Sequence, residues 1–556
     1  LSRIPYDDPA TYECIQDADT TGVFQIESRA QMQSLRRTRP ETLQDLTIQV
    51  AIVRPGPIQG GAVNPYIERR QRLRVDPTYE VPYEHPSLEP VLAETLGTII
   101  FQDQVLEVAI AFAGFSVGEA EGLRRAMSRK RSDAAIEAYH RRFVAGAVGK
   151  HGVDEQTAER VFEMVKGFSG FGFPKAHGAA FGLLAYQSTW LRVHHSAELL
   201  CSLLNEQPMG FYPPDALVHE AQRRRIEVVA PDVNESGAEC DIDVLDPAHP
   251  RVRIGLGYVR GVREQEVRAL VGSREQGGRF RSLSDLASRA GAGAPSLELL
   301  AWSGACDSLV EGDRRVALWQ LGVAAPGRSV PGGTQLALPL DLPAPPKLRE
   351  LTRWEAMLAD YSSIGLTAGS HPMALLRGRM PAGVITSRDL ETLRHGSRVQ
   401  VGGMVVARQR PGTANGIVFI LLEDEYGVIN LIVPPQIYER QRLIVRTEPL
   451  MLAAGKLEKF AAAGGAINIL VDHVGSIAAQ PDDSRVAHLS EAGGRASGKR
   501  EQVLAEVKDF SMLDEQVRRG RIEQEAARRQ AEGQAEAEDF RAVAPPVMSF
   551  ASGRRR

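Results

Sequence analysis

The densest run of basic side chains in the sequence is "LRRAMSRKR", which holds Arg124, Arg125, Arg129, Lys130 and Arg131. Five positive groups within eight positions repel one another unless an anion sits near them or they splay into water. Guanidinium forks match phosphate oxygens two at a time, so the run can act as a phosphate clamp. On charge alone, a solvated helix end explains it equally well. A second segment, "KGFSGFGFPKAHGAAFGLLAYQ", alternates Gly167, Gly170 and Gly172 with Phe168, Phe171 and Phe173, then adds Pro174, Lys175 and His177. Its glycines allow close backbone approach, Lys175 offers a phosphate a point charge, and His177 offers a hydrogen bond. The spacing also suits a loop plugged into a core.

Two further patterns point at polymers rather than small molecules. "GLGYVRGVR" (255–263) has the form of a helix-hairpin-helix turn, in which glycines let backbone N–H groups at a helix start meet a phosphate. Its candidate DNA-binding residues are Gly255, Gly257, Arg260, Gly261 and Arg263; a plain structural turn is the competing reading. The island "QLALPL" puts Gln335, Leu336, Leu338 and Leu340 in a Pro/Gly-rich stretch where the leucines have no local core to join, which suits a docking peptide. "RPGPIQGG" (54–61) is a shaped turn with no chemistry of its own.

Metal-assisted phosphoryl transfer needs paired carboxylates. Asp241 and Asp243 in "CDIDV" would share one face of a strand. Asp7/Asp8 and Asp482/Asp483 are adjacent pairs in loops and point apart.

Several blocks, taken in order, resemble the bacterial DNA polymerase III alpha-subunit, or C-family, polymerases: "AIVRPGPIQGG", "GTIIFQDQV", "GLRRAMSRK", "FSGFGFPKAHGAAFGLLAYQSTWLRVHHSAE" and "VVAPDVNES". The resemblance covers residues 1 to about 475. "PIQGGAVNPYIERR", "FPKAHGAAFG" and "NEQPMGFYPPDALVHEAQRR" look more like the error-prone, translesion branch than the replicative one. The resemblance implies a fingers domain with Arg124 and Arg125 facing the incoming dNTP and Lys175 and His177 near the nascent base pair. It implies primer–template DNA as partner, and Mg2+ held by a palm domain that precedes the block beginning at "IPYDDP". It also implies that Asp241 and Asp243 lie beyond the fingers, as a decoy, so no catalytic residue and no metal ligand is assigned. It makes "QLALPL" similar to a sliding-clamp-binding peptide, and leaves room for other damage-response polymerase factors. The implied reaction is DNA-directed nucleotidyl transfer to a primer 3′ end. A replicative alpha subunit and a non-catalytic DNA-binding scaffold built from polymerase parts are the alternatives.

The elements that must position these groups follow from composition and periodicity. At 556 residues the chain has room for about three to five domains. Its net charge of −4 excludes a wholly basic nucleic-acid coat, and its 43% hydrophobic content excludes global disorder. No apolar run spans a membrane and no signal peptide is visible, so a cytoplasmic protein without a membrane partner is expected. The first residue is Leu1, and the chain reads as a fragment. Cys14, Cys201, Cys240 and Cys306 form no C-x-x-C pair, which argues against a zinc site and for buried reduced thiols.

Helical spacing predicts helices over 88–96, 104–113, 118–127 and 134–148, and one long helix over 179–205. The expected organisation is a mainly α-helical fingers domain (1–235) and a tandem helix-hairpin-helix domain (236–321). A linker with the clamp peptide (322–347), a helical connector (348–395), a small all-β OB-fold barrel (396–476) and a polar, disordered tail (477–556) complete it. The barrel rests on five β-branched runs with a short helix at "PQIYERQRLIV". Its candidate single-strand contacts are Phe419, Tyr426, Phe460, Arg408, Arg410, Lys456 and Lys459.

Overall fold

The computed structural model describes residues 1–53, 62–128, 133–167, 173–210, 212–243, 250–310, 313–324, 328–330, 333–335, 344–411, 414–460, 466–477, 543–545 and 547–552. "RPGPIQGG", Arg129, Lys130, Arg131, Phe168, Phe171, Leu336, Leu338, Leu340 and Asp482/Asp483 lie outside them. Residues 1–199 with 460–466 form one unit, and 200–459 with 467–556 a second.

In the first unit the helices are α1 (Pro9–Gln16), α2 (Arg29–Thr38), α3 (Leu43–Ile52), α4 (Val63–Val75), α5 (Glu89–Leu92), α6 (Gln102–Ala111), α7 (Val117–Ser128), α8 (Asp133–His151), α9 (Glu155–Lys166) and α10 (Lys175–His194). Local chemistry starts several of them. Asp8 caps α1 by accepting the Thr11 N–H, and Thr42 with Asp45 closes a reciprocal capping box on α3. Residues 46–52 of α3 are all buried, so α3 is a central core helix. It lies against α10, where Gly178 and Gly182 permit the approach: a Cβ on Gly182 would stand 3.1 Å from the Thr47 nitrogen. Around this pair packs one cluster that includes Ile15, Ile26, Leu35, Phe101 and Tyr186. Helices α6–α9 build another around Phe112, Leu123, Phe143 and Phe162.

The single helix expected over 179–205 is in fact two. Helix α10 starts four residues earlier, after Pro174, and ends at His194; α11 (Ser196–Asn205) follows. His195 adopts φ −139°, ψ 53°, and the Ser196 hydroxyl donates to the Arg192 carbonyl at 2.5 Å. Apolar spacing continues across the break, which is why periodicity alone missed it.

The second unit begins at residue 200, within α11. Helix α12 (Pro214–Arg223) follows, with Asp215, Ala216, Leu217, Val218, His219 and Ala221 buried. Strands β1 (Val228–Val229), β2 (Asp241–Asp243) and β3 (Arg251–Arg253) form a small sheet in the order β1-β3-β2. Helices α13 (Glu264–Gly277), α14 (Leu283–Arg289), α15 (Ala294–Trp302) and α16 (Arg314–Val323) come next, then a two-stranded ribbon of β4 (Arg328–Val330) and β5 (Gly333–Gln335). Helices α17 (Arg353–Ser363) and α18 (Pro372–Leu376), strand β6 (Val384–Ile385) and helix α19 (Ser387–Thr392) lead to the barrel.

Its strands are β7 (Arg398–Pro411), β8 (Val418–Glu423), β9 (Val428–Val433), β10 (Leu450–Phe460) and β11 (Ala466–Ser476), with α20 (Pro435–Arg440) and α21 (Arg442–Thr447) between β9 and β10. The pairing runs β7-β8-β9-β11-β10 and back to β7, with β9 and β11 parallel. This is a closed five-stranded barrel of the OB type, as the sequence suggested. A register shift between Val405 and Ala407 bends the long β7, whose first half pairs with β10 and second half with β8. The tail departs from expectation at one place: β12 (Met548–Ser552) adds to β7 in parallel, Met548 opposite Ala407. This strand follows a long polar stretch of sequence, and Val547, just before it, packs on the barrel core.

Candidate nucleotide and DNA interfaces

In the first unit, Lys175 and His177 come together at the exposed N-terminal end of α10. The placement is set from α6: the Asp103 carboxylate accepts the Lys175 backbone N–H at 2.8 Å, and the Gln102 N–H donates to the Phe173 carbonyl at 2.9 Å. Helix α6 is itself fixed by the Gln104 side chain, which accepts the N–H groups of Ile100 and Phe101. The Lys175 ammonium rests on Glu94 at 2.5 Å. His177 meets Phe181 edge-on at 4.2 Å between ring centroids, and Phe181 stacks on Phe24 at 5.3 Å. Phe24 is 40% exposed, so the aromatic row reaches the surface.

Arg124 and Arg125 stand in the last turn and a half of α7, and neither is unpaired. Arg124 grips both oxygens of Glu121, at 2.7 and 2.6 Å, and Arg125 reaches the same carboxylate at 2.9 Å. The hydrogen bonds from Arg124 and Arg125 hold the Glu121 carboxyl down to about 2. The charge of Asp103 also acts on Arg124, as does that of Glu121. Asp103 therefore links the neighbourhoods of the two predicted nucleotide-binding pairs. Glu107 adjoins the same patch: burial and then Asp103 push its carboxyl up, against Lys175. Sequence reading missed Glu94, Asp103 and Phe24. Glu121 was legible, three and four positions before the two arginines, and was not weighed.

In the second unit the turn at 255–263 follows β3. Its first two glycines were expected to free backbone N–H groups for a phosphate; in the structure they permit close approach to neighbouring backbone. A Cβ on buried Gly255 would lie 2.3 Å from the Glu239 carbonyl carbon, and one on Gly257 2.7 Å from the Ala238 oxygen. The N–H groups of Leu256 and Gly257 are taken by the carbonyls of Gly237 and Ala238. Gly261 does have positive φ, at +87°. Arg260 is tied to α17, its N–H on the Ser363 carbonyl and its guanidinium 3.3 Å from the Tyr361 carbonyl. Arg263 is exposed at the start of α13.

On the barrel, Tyr426 is 46% exposed in the β8–β9 turn, where Asp424 accepts the Tyr426 and Gly427 N–H groups. The Arg388 guanidinium lies over its ring at 4.4 Å. Arg408 and Lys459 donate to the carbonyls of Glu448 and Glu391, Arg410 lies over Tyr438, and Lys456 is exposed. Phe419, in β8, stands opposite Gln409 of β7, and the Phe460 side chain falls outside the described residues. Gln335 ends β5 opposite Arg328.

The metal expected of a nucleotidyl transferase, Mg2+, prefers carboxylate oxygens and water. The described residues do not fit it. Asp241 and Asp243 do share a strand, but Asp243 is bound by Arg251 at 2.9 Å and Arg253 at 2.8 Å. Among the described residues, one group of three metal-capable side chains lies close together: His219, His371 and Glu423, all buried and rich in nitrogen. No helix among the described residues is long and apolar enough to cross a membrane.

Residues 1–151 match the bacterial DNA polymerase III alpha subunit finger domain, and residues 225–317 a helix-hairpin-helix motif. The error-prone DNA polymerase of Burkholderia pseudomallei is 46% identical over 461 residues, covering 82% of this chain and 42% of the relative. That of Pseudomonas aeruginosa is 44% identical over 468 residues (82% and 43%), and that of Anaeromyxobacter dehalogenans strain 2CP-C 43% over 494 residues (86% and 42%). The chain thus spans less than half the length of these relatives. Among solved structures, asparaginyl-tRNA synthetase from Pyrococcus horikoshii covers 17% of the chain at 16% identity and a TM-score of 0.15, too little to bear on the fold.

Proposed function

We propose that the chain, whose residues 1–151 match the finger domain and 225–317 a helix-hairpin-helix motif, belongs to the bacterial DNA polymerase III alpha-subunit family and serves error-prone, DNA-directed DNA synthesis. The observation that carries the proposal is the exposed end of α10, where Lys175, His177 and an aromatic row are presented on a helix seated by two glycines against buried α3. Lys175 and the Arg124/Arg125 pair meet the phosphates of an incoming dNTP, exchanging Glu94 and Glu121 for phosphate oxygens. His177 and the neighbouring rings face the base. Arg263 and the turn around Gly261 follow the duplex backbone, Tyr426 and Arg388 stack a single-stranded template base, and residues 335–340 engage a sliding clamp.

The two Mg2+ ions of such a reaction stabilise the charge on the attacking and leaving oxygens. In this reading their carboxylates come from outside the described residues, and the chain contributes positioning. The test is primer extension with Mg2+ and dNTPs. The 556-residue chain is expected to bind primer–template DNA without extending it. Extension that disappears on Asp241→Ala/Asp243→Ala would place the metal site within this chain and overturn the division of labour. Failure to bind primer–template at low salt would remove the reading altogether.

A further inference from the structure

The buried group His219, His371 and Glu423 takes no part in that reaction. We propose that these three side chains bind one transition-metal dication of the zinc class, which clamps α12, the turn before α18 and the end of β8. Each donor comes from a different element: His219 from within α12, His371 from the cap of α18, and Glu423 from the last position of β8. Their exposures are 1%, 9% and 1%, so none is an ordinary surface side chain.

The spacing suits a metal. His219 Nδ1 lies 3.2 Å and His371 Nε2 3.9 Å from the same oxygen, Glu423 Oε2. Donors about 2.0–2.1 Å from a tetrahedral centre are about 3.3–3.4 Å apart, between these two values. Two imidazoles and one carboxylate also match the ligand softness of zinc rather than magnesium.

The surroundings suit one too. Ligating groups are held by outer partners, which fix their orientation. The oxygen of Glu423 turned away from the imidazoles, Oε1, accepts from Arg223 at 2.6 Å. Asp215 is buried one helical turn before His219 on the same face of α12. Among the described residues neither Asp215 Oδ1 nor His219 Nε2 has a hydrogen-bond partner. With a metal on Nδ1, the imidazole proton must sit on Nε2, so the unpartnered ring nitrogen becomes the donor.

One contact opposes loading. His371 Nδ1 accepts the Met373 N–H at 3.1 Å as a helix cap, and a metal on Nε2 moves the ring proton to Nδ1 and breaks that bond. The proposal therefore requires that the gain in coordination exceed the loss of one cap. The alternative outcome is a buried hydrogen-bonded cluster that holds no metal.

The full chain, stripped with chelator, is loaded with Zn2+ or Co2+, desalted and analysed for metal. About one ion per chain is expected, with the visible bands of tetrahedral Co2+. Glu423→Gln and His371→Asn are each expected to weaken binding by at least the roughly 10–100-fold that loss of an outer partner costs; Asn at 371 keeps a capping acceptor, and circular dichroism reports the fold. A folded wild-type chain holding less than about one-tenth of an ion, or equal retention in both variants, overturns the site. Should both variants unfold, the cobalt spectrum of the wild-type chain decides, and bound cobalt without tetrahedral bands counts against it.

Discussion

Asp103 accepts the backbone N–H of Lys175 across 2.8 Å, so a residue in the first turn of α6 fixes the first turn of α10, 72 positions later. The same lysine holds Glu94 by its ammonium. Backbone and side chain of one residue are thus set by two different acids, only one of which an anion must displace.

Glu94→Gln is expected to tighten pyrophosphate binding to the chain by up to about fivefold, because an exposed ion pair contributes about 1 kcal/mol or less. Lys175→Ala should weaken the same binding. Isothermal titration reads both. Weaker binding in Glu94→Gln would show that Glu94 aims the lysine rather than competes with phosphate.

Two glycine-to-alanine changes should have opposite signs. At Gly182 the new methyl would lie 3.1–3.3 Å from backbone atoms of Leu46 and Thr47, and about 1–3 kcal/mol of destabilisation is expected. At Gly149, on α8 with nothing within 4 Å of the new Cβ, about 0.4–1 kcal/mol of stabilisation is expected. Urea unfolding followed by helix content compares them; equal effects would mean that the α3–α10 contact yields freely.

Duplex binding should fall steeply with salt and ignore base sequence, since phosphate contacts release counterions. Arg263→Ala should reduce the slope of log K against log salt by about 1 and weaken all sequences alike. Fluorescence anisotropy over a salt series measures it. A loss confined to certain base sequences would point to base contacts.

Changing Gln335, Leu338 and Leu340 together to Ala should abolish co-elution with a bacterial sliding clamp while leaving the melting transition in place. Undiminished co-elution would move the clamp contact elsewhere in the chain.

Much of this architecture was legible because it is written in short-range patterns. The barrel declared itself through β-branched runs, and the helices through apolar spacing. What stayed hidden depends on pairs distant in sequence. Glu94 and Asp103 meet Lys175 from 81 and 72 positions away, and no local pattern marks them. The same is true of His219 and Glu423, 204 positions apart, which an argument resting on cysteine spacing could not detect. Strand β12 was hidden differently: its five residues end a tail whose composition is dominated by charge, yet pairing with β7 needs only backbone. The break at His195, whose φ −139° and ψ 53° leave the helix, falls within an otherwise unbroken apolar rhythm.

The two glycines that seat α10 on α3 carry a mechanical consequence. At Gly182 the three nearest atoms across the contact are backbone atoms of Leu46 and Thr47, so no compliant side-chain layer there absorbs a tilt of one helix against the other. Any displacement that swings Lys175 and His177 toward a ligand must carry the buried segment 46–52 with it. The pair therefore works as a single stiff lever, and the work of moving it falls on the loops at its ends.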